Sequence, residues 1–270
     1  MIEKIRSRPI GFSIISTLVL SVFLGGAALF IQGQHEQPNT QATLMFSAVN
    51  IILTVFAIVL LGLINQTNGF KFVFKAKGFG KGLLALLPVA AFFVFNLMIN
   101  ARGISDIEGT LIENLGIFSV ITFEQMISSF VQNVVLRGLL IVALFIKFSD
   151  TERRRVQSIL KASLLYLAFY IPLRIFIDDG VGAMQLVNTF VVNTGFCAAY
   201  MYSRNLLSLV FVKGLWLTFE SVINSIGTSD YPLFTLPTFA FLAIWAIILI
   251  SIIIFAIKFS KRAEPFSCSG

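Results

Sequence analysis

The chain has 270 residues, of which 57% are hydrophobic and 12% are charged, with a formal net charge of +7 and a mean hydropathy of +0.91. A soluble domain carries about 25% charged residues, so this composition excludes an ordinary soluble enzyme and indicates a protein surrounded by lipid. The cations lie between apolar runs, which argues against nucleic-acid binding. The two cysteines, Cys197 and Cys268, are far apart in the sequence, which excludes a disulfide framework. The chain has one histidine, His35 in a polar loop, so it cannot form a zinc site of the usual kind.

Eight runs of apolar residues are long enough to cross a bilayer as helices. They cover residues 10–31, 42–65, 82–100, 117–147, 157–177, 181–203, 205–226 and 232–258. Lys4, Arg6 and Arg8 precede the first run, which is longer than the apolar region of a signal peptide and has no clear cleavage site, so we expect an uncleaved anchor. Pro88 predicts a kink in the third run. The fourth run is too long for one straight span and predicts tilt or an interfacial segment.

Lysine and arginine collect in every second loop. They are Lys71, Lys75, Lys77 and Lys81 after the second run, Lys147, Arg153, Arg154, Arg155 and Lys161 around the fourth and fifth, Arg204 after the sixth, and Lys258, Lys261 and Arg262 after the eighth. The alternate loops hold a single cation, Arg102, among acidic residues. This bias sets orientation. It predicts an all-α, polytopic membrane bundle of about eight transmembrane helices, with both termini in the cytoplasm and residues 1–270 forming one integral membrane domain in the lipid bilayer.

Polar side chains interrupt four consecutive runs at similar depth. They are Gln132, Asn133 and Arg137 in the fourth run, Tyr170 in the fifth, Asn188 and Asn193 in the sixth, and Lys213 and Glu220 in the seventh. A rise of 1.5 Å per residue places them about 12 to 22 Å from the cytoplasmic ends of their helices. Polar groups at this depth are unfavourable and are therefore candidates for function, although single amides also serve as hydrogen-bonding glue between helices.

The charges in this layer predict specific contacts. Arg137 and Lys213 share the layer with one carboxylate, so we expect Glu220 to compensate one of them directly or through water. Asn133 and Arg137 are four residues apart and are therefore neighbours on a helix. A polar face on the same helix is predicted from four residues at helical spacing, Gln125, Ser129, Gln132 and Asn133.

Three motifs within residues 117–225 resemble those of the CPBP family, also called Abi or CAAX-protease-like intramembrane proteins. The family's E-E-x-x-x-R-G motif is similar to QNVVLRG, from Gln132 to Gly138, in which the Arg-Gly is intact. Its F-x-x-x-H motif resembles YLAFY, which ends at Tyr170. Its third motif, a histidine followed four residues on by Asn or Asp, resembles NLLSLVFVKGLWL, with Lys213 at the histidine position and a leucine at the second. The resemblance implies a membrane helix bundle, with a metal-dependent peptidase site in active members.

The residues that would hold the metal have all changed in this chain. Gln132 and Asn133 stand at the two glutamate positions, and Tyr170 and Lys213 stand at the two histidine positions. Amides cannot act as general bases at neutral pH and are poor metal ligands without anionic companions, and an ammonium repels a metal ion. The resemblance therefore implies a degenerate member without metal or other cofactor, in which the lysine and the amides form a hydrogen-bonded cluster.

Several functions follow as expectations. The first is a non-catalytic homologue that binds a membrane protein or peptide, as in bacteriocin self-immunity or the scaffolding of an envelope enzyme or sensor. The second is an active zinc peptidase, for which Glu124, Glu220 and Tyr170 are the only acid or ligand candidates. The third is a transporter or channel lined by Arg137, Lys213 and the amides, and an unrelated structural membrane protein is the fourth. The resemblance also implies a bacterial plasma membrane.

Overall fold

The helices of the computed structural model follow the apolar runs. The structure describes residues 8–34, 40–65, 74, 76–100, 111–148, 150–177, 182–226 and 236–264, and every regular element within these ranges is a helix. In chain order they are α1 (Pro9–Gln34), α2 (Thr40–Asn65), α3 (Phe79–Ala85), α4 (Leu87–Asn100), α5 (Leu111–Val131), the π-helix π1 (Gln132–Leu139), α6 (Leu140–Phe148), α7 (Glu152–Ile177), α8 (Ala183–Ser203), α9 (Leu206–Ile226) and α10 (Thr238–Arg262). In its described part, each predicted run therefore overlaps one helix or consecutive helices.

Two of the described helices are long and apolar enough to cross a membrane, namely Phe118–Phe145, which runs through α5, π1 and α6, and Thr238–Arg262. A third candidate is the pair Phe79–Ala85 and Leu87–Ile99, taken together as one bent span. The prediction of an all-α chain is thus confirmed for the described ranges. The prediction that eight helices cross the membrane goes further than these two or three candidates.

The bend between α3 and α4 confirms the kink predicted at Pro88. The two helices meet at 57°, and Pro88 is the second residue of α4. Proline has no N–H to donate, and its ring crowds the carbonyl four residues earlier. The Leu86 N–H closes α3 by donating to the carbonyls of Gly82 at 3.0 Å and Leu83 at 3.1 Å, after which the chain starts again in a new direction.

The interior of the bundle is built from α6 and the second half of α8. All side chains of residues 139–145 and of residues 193–201 are buried. Phe145 of α6 stacks on Tyr200 of α8, with ring centroids 6.4 Å apart. By contrast, α10 packs along α8 and leaves many large apolar side chains exposed, among them Phe239, Ile247 and Ile250. The fourth predicted run is therefore central in the bundle, and the eighth is peripheral.

Four chain segments meet at one end of the bundle, which we call the basic end: residues 76–81, 150–161, 203–205 and 258–264. The Arg155 guanidinium donates to the carbonyls of Ser260 and Lys261, both at 3.0 Å, and so caps the carboxyl end of α10. The Asn205 side chain donates to the Lys77 carbonyl at 3.3 Å. The charge pattern of the sequence placed all four segments on the same side of the membrane.

Two unusual backbone positions tighten the basic end. Arg204 joins α8 to α9 with φ of 55°, and its guanidinium donates to the Glu264 carbonyl. Burial lowers the pKa of Arg204 to about 10, which leaves it protonated at neutral pH. Gly78 has φ of 90°, and a Cβ there would lie 2.2 Å from the Ser203 carbonyl oxygen. Only glycine fits this combination of a left-handed backbone and a close approach.

Candidate functional site

The candidate site is centred on π1, the only π-helical segment in the described part of the chain. Its bounds, Gln132–Leu139, contain the Gln-Asn and Arg-Gly pairs of the first motif. A π-helix closes each turn with an i→i+5 hydrogen bond. Such segments are rare in proteins, and those that occur are often found at functional sites. Because the turn is wider than in an α-helix, side chains four residues apart are aligned more closely along the helix axis. Asn133 and Arg137 are such a pair.

Arg137 is buried and is held by amides and aromatic rings. Its side chain is 3% exposed. Its Nη1 donates to Asn133 Oδ1 at 2.6 Å, and its Nε donates to Asn193 Oδ1 of α8 at 2.9 Å. The guanidinium carbon lies 4.4 Å from the ring centroid of Phe196 and 5.0 Å from that of Tyr166, within the range of cation–π attraction. The guanidinium thus ties π1 to both α7 and α8.

The Asn133 side chain is oriented by its own helix and by α9. Its Nδ2 donates to the Ser129 carbonyl at 2.8 Å and lies 3.3 Å from the Ser129 hydroxyl. That hydroxyl donates to the Val210 carbonyl of α9 at 2.9 Å. Because the amide nitrogen faces Ser129, the amide oxygen faces Arg137. The predicted polar face of the fourth run is confirmed at these positions.

Lys213 of α9 donates its ammonium to the Gln132 Oε1. The Gln132 Nε2 in turn donates to the Ser128 hydroxyl at 3.3 Å. The lysine reaches π1 because α9 lies close against α5 at the next residue, where a Cβ on Gly214 would be 2.4 Å from the Met126 sulfur. Gln132 and Lys213, both members of the predicted polar cluster, are therefore in direct contact through a cation–amide hydrogen bond.

Asn193 and its neighbours form the α8 side of the cluster. The Asn193 Nδ2 lies 3.7 Å from the sulfur of Cys197, a buried free thiol. The Ser163 hydroxyl of α7 lies 3.8 Å from the same sulfur and accepts a hydrogen bond from Thr194 at 3.0 Å. The sequence analysis did not predict that Cys197, Ser163 and Thr194 belong to the cluster. For Cys197 there was a signal, because it lies four residues after Asn193 on the same helix.

The other predicted site residues have separate outcomes. Asn188 accepts a hydrogen bond from Trp245 of α10 at 2.9 Å, and it therefore belongs to the packing of α8 on α10. Tyr170 lies on α7, but its side chain is outside the described residues, as are His35 and Cys268. Glu220 of α9 is half-buried, and its expected compensation of Arg137 or Lys213 stays a prediction.

In this cluster, two cationic side chains donate hydrogen bonds to neutral amide oxygens. Its three amides, from Gln132, Asn133 and Asn193, present their oxygens to Arg137 and Lys213. These amides provide neither a general base nor an anionic metal ligand. Within the described ranges, no group of three His, Cys, Asp or Glu side chains is arranged to hold a metal ion. Comparison of the chain with protein-family models, with curated proteins and with solved structures gave no match.

Proposed function

We propose that this chain is a multi-pass membrane protein that keeps the helix framework of the CPBP intramembrane peptidases and has exchanged their metal site for a cation–amide cluster. In this proposal eight helices cross the plasma membrane of a bacterium, with both termini in the cytoplasm. The protein is non-catalytic and binds a membrane protein or peptide, as a bacteriocin self-immunity protein or as a scaffold or regulator of an envelope protein.

One observation carries this proposal: the Lys213 ammonium donates to the Gln132 amide oxygen. The two positions lie 81 residues apart in the sequence, and the motif resemblance requires that they meet. The ammonium group places a positive charge directly beside the amide oxygen. A divalent metal ion does not fit this donor set, because a neutral amide gives it no anionic ligand and the lysine repels it.

The basic end supports the proposed topology. Residues 76–81, 150–161, 203–205 and 258–264 follow or precede different apolar runs, and direct hydrogen bonds join them at one end of the bundle. An up-and-down bundle of spanning helices brings every second loop to the same side. The clustering of lysine and arginine on that side is the arrangement that the positive-inside rule describes for the cytoplasmic face.

The test is zinc binding by a variant with the family's residues restored. The variant carries Gln132→Glu, Asn133→Glu, Tyr170→His and Lys213→His, and is compared with the natural protein and with a matched variant that keeps Lys213. We expect the full variant to bind about one zinc per chain, as a site with anionic and imidazole ligands does. The natural protein and the matched variant should bind far less, because the ammonium remains at the centre of the site.

Zinc bound stoichiometrically by the natural protein would refute the non-catalytic proposal and revive the peptidase alternative. Equal zinc binding by the full and matched variants would refute the role given to Lys213. If no variant binds zinc while tryptophan fluorescence and gel filtration show a folded protein, the family framework itself is wrong. Lys213→His alone serves as the folding control, because it changes one half-buried side chain.

A further inference from the structure

Helix α7 presents one exposed stripe whose character changes along its length. Arg153, Gln157, Lys161, Leu164 and Ala168 are all exposed, and their spacing of three or four residues places them on one face. The stripe begins at the basic end with polar side chains and continues beyond Lys161 with apolar ones. Leu164 is 56% exposed, so a large apolar side chain faces outward on this helix.

Two further helical segments repeat this pattern. On α10 the exposed residues Ile250 and Ile254 lead to Lys258 at the basic end. On the α3–α4 pair, Lys81 at the basic end is followed by exposed Leu84 and Leu87. In each case a lysine stands one turn from the start of an exposed apolar stripe.

The three lysines lie at similar heights in the bundle. Lys258 is two residues from Ser260 and Lys161 is six residues from Arg155, and Arg155 and Ser260 are hydrogen-bonded. At 1.5 Å per residue, the lysines are therefore about 3 and 9 Å from this shared point along their helices. Lys81 is three residues from Gly78, which contacts Ser203 at the same end. The boundary between basic and apolar surface thus lies within about 9 Å of the basic end on three parts of the bundle.

The charge at this level is strongly positive. The exposed cations at the basic end are Lys77, Lys81, Arg153, Arg154, Lys161, Lys258, Lys261 and Arg262, and the exposed acids within its four segments are Asp150, Glu152 and Glu264. One of the cations, Arg154, is paired with Asp150 at 2.6 Å. The remaining excess of positive charge attracts a polyanionic surface.

We propose that Lys161 and Lys258, on the neighbouring helices α7 and α10, together with Lys81 bind the phosphate groups of anionic phospholipids in the cytoplasmic leaflet. This inference rests on the membrane embedding in the proposed function. Each lysine stands at the end of an apolar stripe on the side of the bundle. Its ammonium group therefore lies where lipid headgroups meet acyl chains. An acidic cytoplasmic protein would instead approach the end of the bundle and contact Lys77, Arg153 and Arg262.

Aromatic side chains hold two of these lysines near the level of the headgroups. The Lys161 ammonium lies 4.9 Å from the ring centroid of Phe148, and the Lys258 ammonium lies 5.9 Å from that of Phe255. Both distances are within the range of cation–π attraction. This orientation leaves the ammonium hydrogens available to a phosphate oxygen.

The test is lipid retention by the purified full-length protein in native mass spectrometry. Phosphatidylglycerol and phosphatidylcholine with the same acyl chains are added in turn. The variant carries Lys81→Gln, Lys161→Gln and Lys258→Gln. The matched control, Lys77→Gln, Arg153→Gln and Arg262→Gln, removes the same number of charges from the same end. We expect the natural protein to retain phosphatidylglycerol preferentially, and the variant to lose about fivefold in affinity for each lysine removed. The control should change by less than about twofold, because each of its cations lies at least one helical turn farther from the apolar part of its stripe.

Equal losses in the two triple variants would overturn the site and leave only diffuse attraction. Equal retention of the two lipids, or displacement of phosphatidylglycerol by a soluble polyglutamate peptide, would also overturn it. Spin labels at Lys161→Cys and Leu164→Cys, in a Cys268→Ser background, test the embedding separately. If both labels are in water, the proposed membrane topology fails. If Leu164→Cys is in lipid while the lysine variant keeps its lipids, only the headgroup site fails.

Discussion

Replacement of Arg137 by methionine tests whether the buried guanidinium stabilises the bundle. The change keeps an unbranched side chain of similar length and removes the charge and both hydrogen bonds. It leaves the Oδ1 atoms of Asn133 and Asn193, which accept from Arg137 at 2.6 and 2.9 Å, without this donor. It also removes the contacts with the rings of Phe196 and Tyr166.

The magnitude follows from opposing terms. Each hydrogen bond to a charged group contributes about 1.5–3 kcal/mol, and each ring contact contributes about 0.5–2 kcal/mol. In the other direction, the variant no longer carries the desolvation penalty of a buried charge, which is several kcal/mol. We expect a net loss of about 3 kcal/mol for Arg137→Met, because the change leaves two buried amide oxygens without their donor and each such group costs about 1–3 kcal/mol.

A matched variant separates the loss of a donor from the loss of packing. In Arg137→Met/Asn133→Leu/Asn193→Leu no amide oxygen is left without its cation, so we expect most of the loss to be recovered. Arg137→Lys should be intermediate. An ammonium cannot reproduce the fixed geometry with which Nε and Nη1 reach two different helices.

The assay is unfolding of the detergent-solubilised protein, followed by tryptophan fluorescence. Trp216 stacks on Phe93 with ring centroids 4.8 Å apart, and Trp245 donates to Asn188, so both report on interhelical contacts. A free energy of unfolding for Arg137→Met within about 1 kcal/mol of the natural value would refute this reasoning. So would a triple variant that is no more stable than the single one.

Two further predictions concern the basic end. Gly78→Ala should destabilise the fold by about 3 kcal/mol or more, because it combines a φ of 90° with a Cβ 2.2 Å from a carbonyl oxygen; Gly80→Ala, where nothing lies within 4 Å, is the control, and equal melting temperatures would contradict the prediction. Arg155→Lys should loosen the last turn of α10 by about 1 kcal/mol, because an ammonium cannot span the Ser260 and Lys261 carbonyls as the guanidinium does. Faster amide exchange near Ala263, absent in the exposed control Arg153→Lys, would be the readout, and unchanged exchange would argue against the cap.

The helices were predictable because their physical signal is local. An apolar run of about 20 residues and the cations at its ends can be read from the sequence, and helices occupy most of the described part of all eight runs. The bend at Pro88 was predictable for the same reason, because the missing N–H acts on the residues next to it. The contact of Asn133 with Arg137 followed from their spacing alone.

The contacts between helices were only partly predictable. Depth estimates placed Arg137 and Asn193 at about 14 and 15 Å from the cytoplasmic ends of their helices, and these two residues are hydrogen-bonded. The same estimate placed Gln132 about 9 Å deeper than Lys213, yet they are in contact. Depth counted along an untilted α-helix omits tilt, the length of a lysine side chain and the π-helix. The π-helix had no signal in the sequence, because the polar spacing of the fourth run also fits an ordinary α-helix.

The cluster explains why an amide suits position 133 better than a carboxylate does. Each amide divides its two ends in the same way: the oxygen accepts from Arg137 or Lys213, and the nitrogen faces a residue four positions away on its own helix. For Asn133 that residue offers the Ser129 carbonyl at 2.8 Å. A carboxylate there would direct an oxygen at a carbonyl oxygen, and this repulsion would offset part of its attraction to the guanidinium. Asn133, Arg137 and Asn193, with their helical neighbours, therefore form one interdependent set, in which the exchange of a single member removes a hydrogen-bond partner from a buried polar atom. Gln132 and Lys213 form a second, half-buried pair beside it.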